Sequence, residues 1–471
     1  MARTLAESSE AKPELKTIPP SLRAMSYDDY RNLRFRQDKA LWLQDKLPFR
    51  VEFFHLGRHF AEPVTINEFT DNHMQEIPFM KDFFDYRQTS LDPRRFQELP
   101  GYAGFRVKYP LNTPQVYDDL IVFQGASYFR ALSRGSAYGM SARGLGVNID
   151  KGKEAFPRFT QFWLEKPDSG SRQLKLYALL ESEAVTGAYE FTIQPGVTTR
   201  IGVRLRVWPR TADASLCFAP LTSMFYFGEN TEEPVREWRP EIHDSDGLLI
   251  QGDGNWFWMP LRNPGQATPA SQKIEKLKGF GLLQRDRRFS SYRDLEARYD
   301  LRPSAWISPV GDWPAGEVVL YQFYTPDETN DNVNAFWRPD TPPVVGQPFD
   351  LSYTLSWLLQ EPDGEMATVL ESFIGEDSLQ LGNTVFVIEF SPPKDFNPST
   401  LAMFTPEFTA GGAEIVQEPI LQHNHVDNAL RVFFTLRPAP GNEPRASYPL
   451  SLQLLKDGKP ASEKWIYSWE K

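Results

Sequence analysis

Apolar and polar residues alternate along most of this chain with a period of two, in short runs broken by turns. Ile201-Gly202-Val203-Arg204-Leu205-Arg206-Val207 is the clearest case, and Phe105-Arg106-Val107-Lys108-Tyr109 is another. A strand sends successive side chains to opposite faces, so this pattern predicts strands with one face buried. Similar runs predict strands at 51–55, 64–69, 174–180, 189–193 and 318–323. Near the start, Ser26 stands three residues before Asp29, a helix-capping arrangement, and one or two short helices are expected over 26–44. Residues 1–20, with the polar stretch Ser8 to Pro13, read as a flexible leader. No repeat of 20–50 residues is evident.

A boundary is expected after Trp337. Residues 338–348 carry Pro339, Pro342, Pro343 and Pro348, which stiffen the chain and remove backbone donors. Beyond them Phe349 to Trp357 alternates, and further strands are expected at 385–390, 430–436, 450–455 and 464–469. Asp457-Gly458 supplies a hairpin turn before the last of these. The expected fold is all-β: a large antiparallel β-sandwich over 21–337, then a small immunoglobulin-like sandwich over 349–471. The paired cysteines of antibody domains are missing, so only the general architecture is implied.

Composition agrees with this class. The 471 residues include 12 Trp, 18 Tyr and 34 Phe, which favour pleated strands, and 30 Gly and 39 Pro, which punctuate them. A net charge of −11 argues against nucleic acid and anionic membranes as partners, and it does not repel a neutral polymer. The single cysteine, Cys217, rules out an internal disulfide and a Cys-rich zinc site; between Leu216 and Phe218 it reads as a buried small hydrophobe. No apolar run is long enough for a membrane-spanning helix. The first residues lack a signal core, so the chain is either cytoplasmic or defined without its export signal.

Two acidic loops carry the candidate chemistry. One is Glu241-Ile242-His243-Asp244-Ser245-Asp246, and the other runs Asp327-Glu328-Thr329-Asn330-Asp331-Asn332. Paired carboxylates among aromatic rings suit hydrolysis of a sugar–sugar bond: one acid protonates the leaving oxygen, one base activates water, and rings hold sugar faces. Asp244 is a candidate base or hydroxyl acceptor. Crowded carboxylates in the second loop raise one another's pKa, as a general acid requires. The competing readings are an Asx turn for the first loop and a solvated acidic turn for the second. Trp256 and Trp258 share a strand face just after Gly252 and Gly254, which allow close approach, and Tyr299, Asp300 and Arg302 bring together a ring, a carboxylate and a guanidinium; core packing competes as the role of each ring. The six histidines form no metal pattern, Gly144-Leu145-Gly146 is not a nucleotide fingerprint, and no metal or cofactor is expected.

Several motifs together resemble the osmoregulated periplasmic glucan biosynthesis proteins of types G and D. They include Gly125 to Arg130, Tyr138 to Leu145, Pro220 to Phe225, His243-Asp244-Ser245, Lys278 to Gln284, Arg298 to Trp306 and Asp327 to Asn332. The resemblance runs from about residue 20 to the end and is weakest after the linker. The stretches at 302–306 and 327–332 are closer to the G type, and Asp246 to the D type. The resemblance implies the two-sandwich fold, a periplasmic location with the export signal removed, and an inverting endo-β-1,2-glucanase acting on linear β-1,2-glucan. By motif, Asp331 takes the position of the general acid. Asp244 takes that of a general base working through a relay of water and substrate hydroxyls, so the usual carboxylate spacing of roughly 6.5–9.5 Å need not hold. Tyr299 and Arg302 fall where the sugar groove is expected, with Trp256, Asp246 and Asp300 as further substrate contacts. Two alternatives remain open at this level: a transglycosylase that closes the glucan into a ring, and a non-catalytic glucan-binding scaffold for a membrane glucan synthase.

Overall fold

A computed structural model describes residues 1–7, 18–70, 73–95, 98–231, 237–362, 364, 366–439 and 447–470. The chain is all-β, and among the described residues no helix exceeds six residues. No helix among the described residues is long and apolar enough to cross a membrane. The chain forms two compact units: residues 1–220, 307–313 and 336–358, and residues 221–306, 314–335 and 359–471.

The first unit contains an antiparallel run of strands Arg158–Glu165, Leu174–Glu181, Val185–Gln194, Thr199–Pro209 and Phe349–Leu358. Alternation sets its faces. Ile201, Val203, Leu205 and Val207 are buried, whereas Arg204 and Arg206 are exposed, and Arg206 makes two hydrogen bonds of 2.6 and 2.7 Å to Asp350 on the neighbouring strand. Strands Arg50–Phe54, Gly104–Thr113, Val116–Gln124 and Tyr128–Ala131 form a second layer. Between the layers, Phe105 and Phe123 meet Phe162 at 4.9 and 5.4 Å between centroids, and Phe129 meets Phe191 at 5.5 Å. Such rings bury large apolar areas, and offset or edge-on contacts add to that. Cys217 is fully buried here, and burial pushes its thiol up to about 12.

Three expectations meet a different arrangement. Strand Phe349–Leu358, expected to open the small sandwich, pairs instead with Thr199–Pro209, in register from Thr199↔Trp357 to Val207↔Phe349. A period of two states which face is apolar and leaves the partner strand open. The proline-rich segment 338–348 belongs to this same unit: Arg338 pairs with Asp150 at 2.8 Å, and Gly346 N–H donates to Pro209 O at 2.9 Å. Part of the expected leader is a helix, Ala2–Glu7, with Ala2 buried in a cluster with Leu179 and Trp208. Ser8 to Pro13 lies outside the described residues. The expectation of one or two short helices over 26–44 holds: Ser26 Oγ accepts from Asp29 N–H at 3.0 Å to cap Tyr27–Asn32, a short strand, Arg34–Phe35, follows, and Gln37–Lys39 makes a single 3-10 turn.

The second unit includes a small sandwich close to the one expected. Val369–Glu376, Thr384–Phe390, Ala429–Arg437 and Glu414–Asn424 make one sheet. Phe404–Thr409, Ser447–Lys456 and Lys464–Glu470 lie against it, and Phe386 meets Trp469 at 5.6 Å and Phe434 meets Phe408 at 4.4 Å. Asp457 and Gly458 both have positive φ, 51° and 73°, as a tight hairpin turn requires. Strand Asn255–Pro260 runs parallel to Lys464–Glu470 and pairs on its other side with Gly247–Gly252. Gly247 cannot carry a side chain, because the Trp258 indole occupies the space a Cβ would take.

Trp465 is fully buried and donates through Nε1 to Ser372 Oγ at 3.1 Å. Trp465→Ala is expected to destabilise the protein by about 3–5 kcal/mol in chemical denaturation. Ser372→Ala, which removes only the acceptor, should cost about 1 kcal/mol. Equal losses would contradict packing as the dominant contribution.

Candidate active site

The loop carrying Asp244 is fixed by backbone bonds on both sides. Strand Phe225–Phe227 pairs with Ile242–His243, and Asp244 N–H donates to Met224 O at 2.8 Å. Asp246 N–H donates to Leu283 O and Leu261 N–H to Asp246 O, both at 2.7 Å, and the Ser245 and Ser223 hydroxyls lie 2.9 Å apart. The Asp244 side chain is thereby held inside the unit, only 4% exposed. Its carboxylate receives a charge-assisted hydrogen bond from Arg302. The Arg302 guanidinium in turn lies 4.2 Å from the centroid of the Tyr299 ring. Burial raises the Asp244 carboxyl, Arg302 lowers it and the charge of Asp331 raises it again, leaving it at about 6. The carboxylate form therefore prevails at neutral pH.

The second loop reaches the same cluster through Glu328. Tyr299 Oη donates to Glu328 Oε2 at 2.5 Å, and Arg239 Nη1 donates to the same oxygen at 2.8 Å. Arg239 also holds Asp294 and Glu237, each at 3.0 Å. Asp327 makes the turn, accepting from Thr329 N–H at 2.9 Å, so the turn reading is right for that carboxylate. Asn332 is the buried anchor: its amide nitrogen donates to Phe225 O at 3.0 Å and Phe323 O at 2.9 Å, and its oxygen accepts from Phe225 N–H at 2.9 Å. Asp331, next to this anchor, is exposed.

Asp244, Arg302 and Tyr299 are thus brought together, with Asp331 close enough to act on Asp244. The other three candidates are directed elsewhere. Asp246 accepts from the backbone N–H groups of Arg285 and Asp286 and so clamps the following loop. Asp300 is held by Arg298 at 2.9 and 2.8 Å. Trp256 is half-buried and stacks on Trp306 at 6.1 Å. Glu328 and Arg239 escaped the sequence reading as separate contributors. Glu328 lies in the acidic loop at 327–332, but nothing in the spacing distinguishes it from its neighbours. Arg239 sits beside Trp238 and Pro240, and only the fold brings it to Glu328.

His243 forms a second polar cluster beneath the loop. Its Nε2 lies 2.9 Å from Glu241, its Nδ1 lies 3.0 Å from Gln284 and 3.5 Å from Asp246, and Phe225 stacks on its ring at 5.1 Å. Burial lowers the imidazolium, but Asp246 and Glu241 raise it further, to about 9. The ligating atoms of Glu241, His243 and Asp246 all lie within 4.8 Å of one another, a spacing that a metal ion would accept. Histidine spacing alone gave no sign of it, because two of the three ligands are carboxylates. The ring's hydrogen bonds go to Glu241 and Gln284, with the Asp246 carboxylate 3.5 Å away.

The family model described as "Periplasmic glucan biosynthesis protein, MdoG" matches residues 1–469. The chain is 43% identical to "Glucans biosynthesis protein G" of Ralstonia nicotianae, over 98% of this chain and 93% of that protein. It is 40% identical to the protein of the same name from Pseudomonas paraeruginosa, over 99% and 90%, and 38% identical to that of Dickeya dadantii, over 99% and 91%.

The His243 cluster makes a pH-dependent contribution to stability. The folded value of about 9 exceeds the ordinary 6.5, so the contribution is complete below pH 6.5 and is lost as pH rises through about 9. Glu241→Gln should lower unfolding free energy by about 1.5–3 kcal/mol at pH 6.5. The gap from wild type should close above pH 9. A gap independent of pH would exclude a protonated His243.

Proposed function

The chain belongs to the periplasmic glucan biosynthesis protein MdoG family, and on that premise we propose that it is a periplasmic enzyme that cleaves linear β-1,2-glucan with inversion. The observation that carries this reading is the pairing of unlike carboxylates. Asp244 is buried against Arg302 and feels the charge of Asp331, which is exposed. Unlike environments let two carboxyl groups take different roles in one reaction, and here the matching motifs, rather than the environments, assign the acid to Asp331 and the base to Asp244.

In the proposed reaction Asp331 donates its proton to the glycosidic oxygen as the bond from that oxygen to the anomeric carbon breaks. A water attacks the same carbon from the opposite face, which inverts its configuration. The water's proton passes along a relay of water and substrate hydroxyls to Asp244. Burial of Asp244 supports a relay over direct contact, since its carboxylate is enclosed and one oxygen is committed to Arg302. Arg302 keeps Asp244 ionised, and the Tyr299 ring beneath the guanidinium fixes its direction.

Purified protein given linear β-1,2-glucan should release linear products carrying one added water per cut, as read by mass spectrometry. Asp331→Asn should lower the rate by about 10²–10⁴-fold. Products one water lighter than a linear chain would replace hydrolysis with ring closure by transfer. Binding without turnover in wild type would replace the enzyme with a scaffold.

The rate should fall with decreasing pH below about 6, where Asp244 takes up a proton. Arg302→Ala removes the charge that lowers this carboxyl, so the acid limb of the profile should move to higher pH. An unmoved limb would remove Asp244 as the base.

A further inference from the structure

Within the second unit a cavity of about 470 Å³ lies beside the acidic loop, in the roughly 300–1,000 Å³ range of small-ligand sites. Its walls include Phe225, Tyr226, Asn230, Arg262, Tyr324 and Glu470. Resting on the reading above, we infer that this cavity is a binding site for sugar units of the glucan, away from the bond being cut.

The polar groups select a neutral, hydroxyl-bearing ligand. Arg262 is neutralised by Glu470 at 2.7 Å, so the wall offers an anion no net charge. Asn230 is 5% exposed; its amide nitrogen donates to Leu261 O at 2.6 Å, but its oxygen accepts no hydrogen bond among the described residues. A buried acceptor without a donor costs about 1–3 kcal/mol, so the cavity favours a ligand that brings an O–H group. A purely apolar ligand would leave that cost in place. The aromatic walls suit the hydrophobic faces of pyranose rings, and Tyr324 is 58% exposed at the cavity.

Position ties the cavity to the carboxylates. Tyr324 directly precedes the acidic loop, and Asn263, another wall residue, holds Thr325 through hydrogen bonds of 2.8 Å in both directions. Phe225 is bonded to Asn332, the neighbour of Asp331, and its ring stacks on His243, the neighbour of Asp244. A chain seated in the cavity thus lies against elements that hold both carboxylates.

The test compares full-length wild type, Tyr324→Ala and Asn230→Ala on linear β-1,2-glucans of increasing length. Tyr324 is the safer variant for folding because its ring is exposed; Asn230→Ala is checked by circular dichroism. Both variants should lower the ratio of long-chain to short-chain kcat/KM about five- to tenfold, the size of one lost contact. In an Asp331→Asn background, calorimetry should show the same loss of long-chain affinity in both. An unchanged ratio and affinity in Tyr324→Ala would overturn the site while leaving the reaction intact. Wild type that neither binds nor converts any glucan would overturn the parent reading and this one with it.

Discussion

The arrangement of the site depends on one buried charge pair, Asp244 with Arg302. A carboxylate that is 4% exposed is too costly to keep ionised alone, so a cation must face it. That cation has its own requirements. Arg302 rests on the Tyr299 ring, the Tyr299 hydroxyl donates to Glu328, and Glu328 is shared with Arg239. Each partner is fixed because the one before it needs it. The result is a line of alternating charge and ring from the loop at 241–246 to the loop at 327–332. The rigidity is local, and it comes from hydrogen-bond satisfaction rather than from any single strong bond.

Much of the fold was legible in the sequence because a period of two states directly which residues face inward. Ile201, Val203, Leu205 and Val207 are buried as their spacing requires, and Asp457-Gly458 makes the turn its residue types demand. Partnership was less legible. Nothing in Phe349 to Trp357 distinguishes a strand that opens a new sandwich from one that joins Thr199–Pro209, since both bury the same alternate residues. The helix Ala2–Glu7 was hidden because its anchorage, Leu179 and Trp208, lies far along the chain.

The site divides in the same way. Asp244, Asp331, Tyr299 and Arg302 were reachable from local motifs and from the family those motifs resemble. Asp246 and Asp300 have the right chemistry for sugar hydroxyls but are occupied by the backbone of 285–286 and by Arg298. A carboxylate in sequence carries no label for what will satisfy it. Arg239, the His243 cluster and the unanswered oxygen of Asn230 depend on contacts between distant segments, which no spacing encodes.

The one cysteine has a consequence for how the chain can be made. Cys217 is fully enclosed, and its thiol is held at about 12, far from the thiolate form that reacts. With no second cysteine in this sequence to pair with, no internal disulfide has to be formed or reshuffled. The folded protein should be indifferent to reductant, and its yield should be the same whether it is produced in a reducing or an oxidising compartment. Its assembly is governed by the slow pairing of distant strands rather than by thiol chemistry.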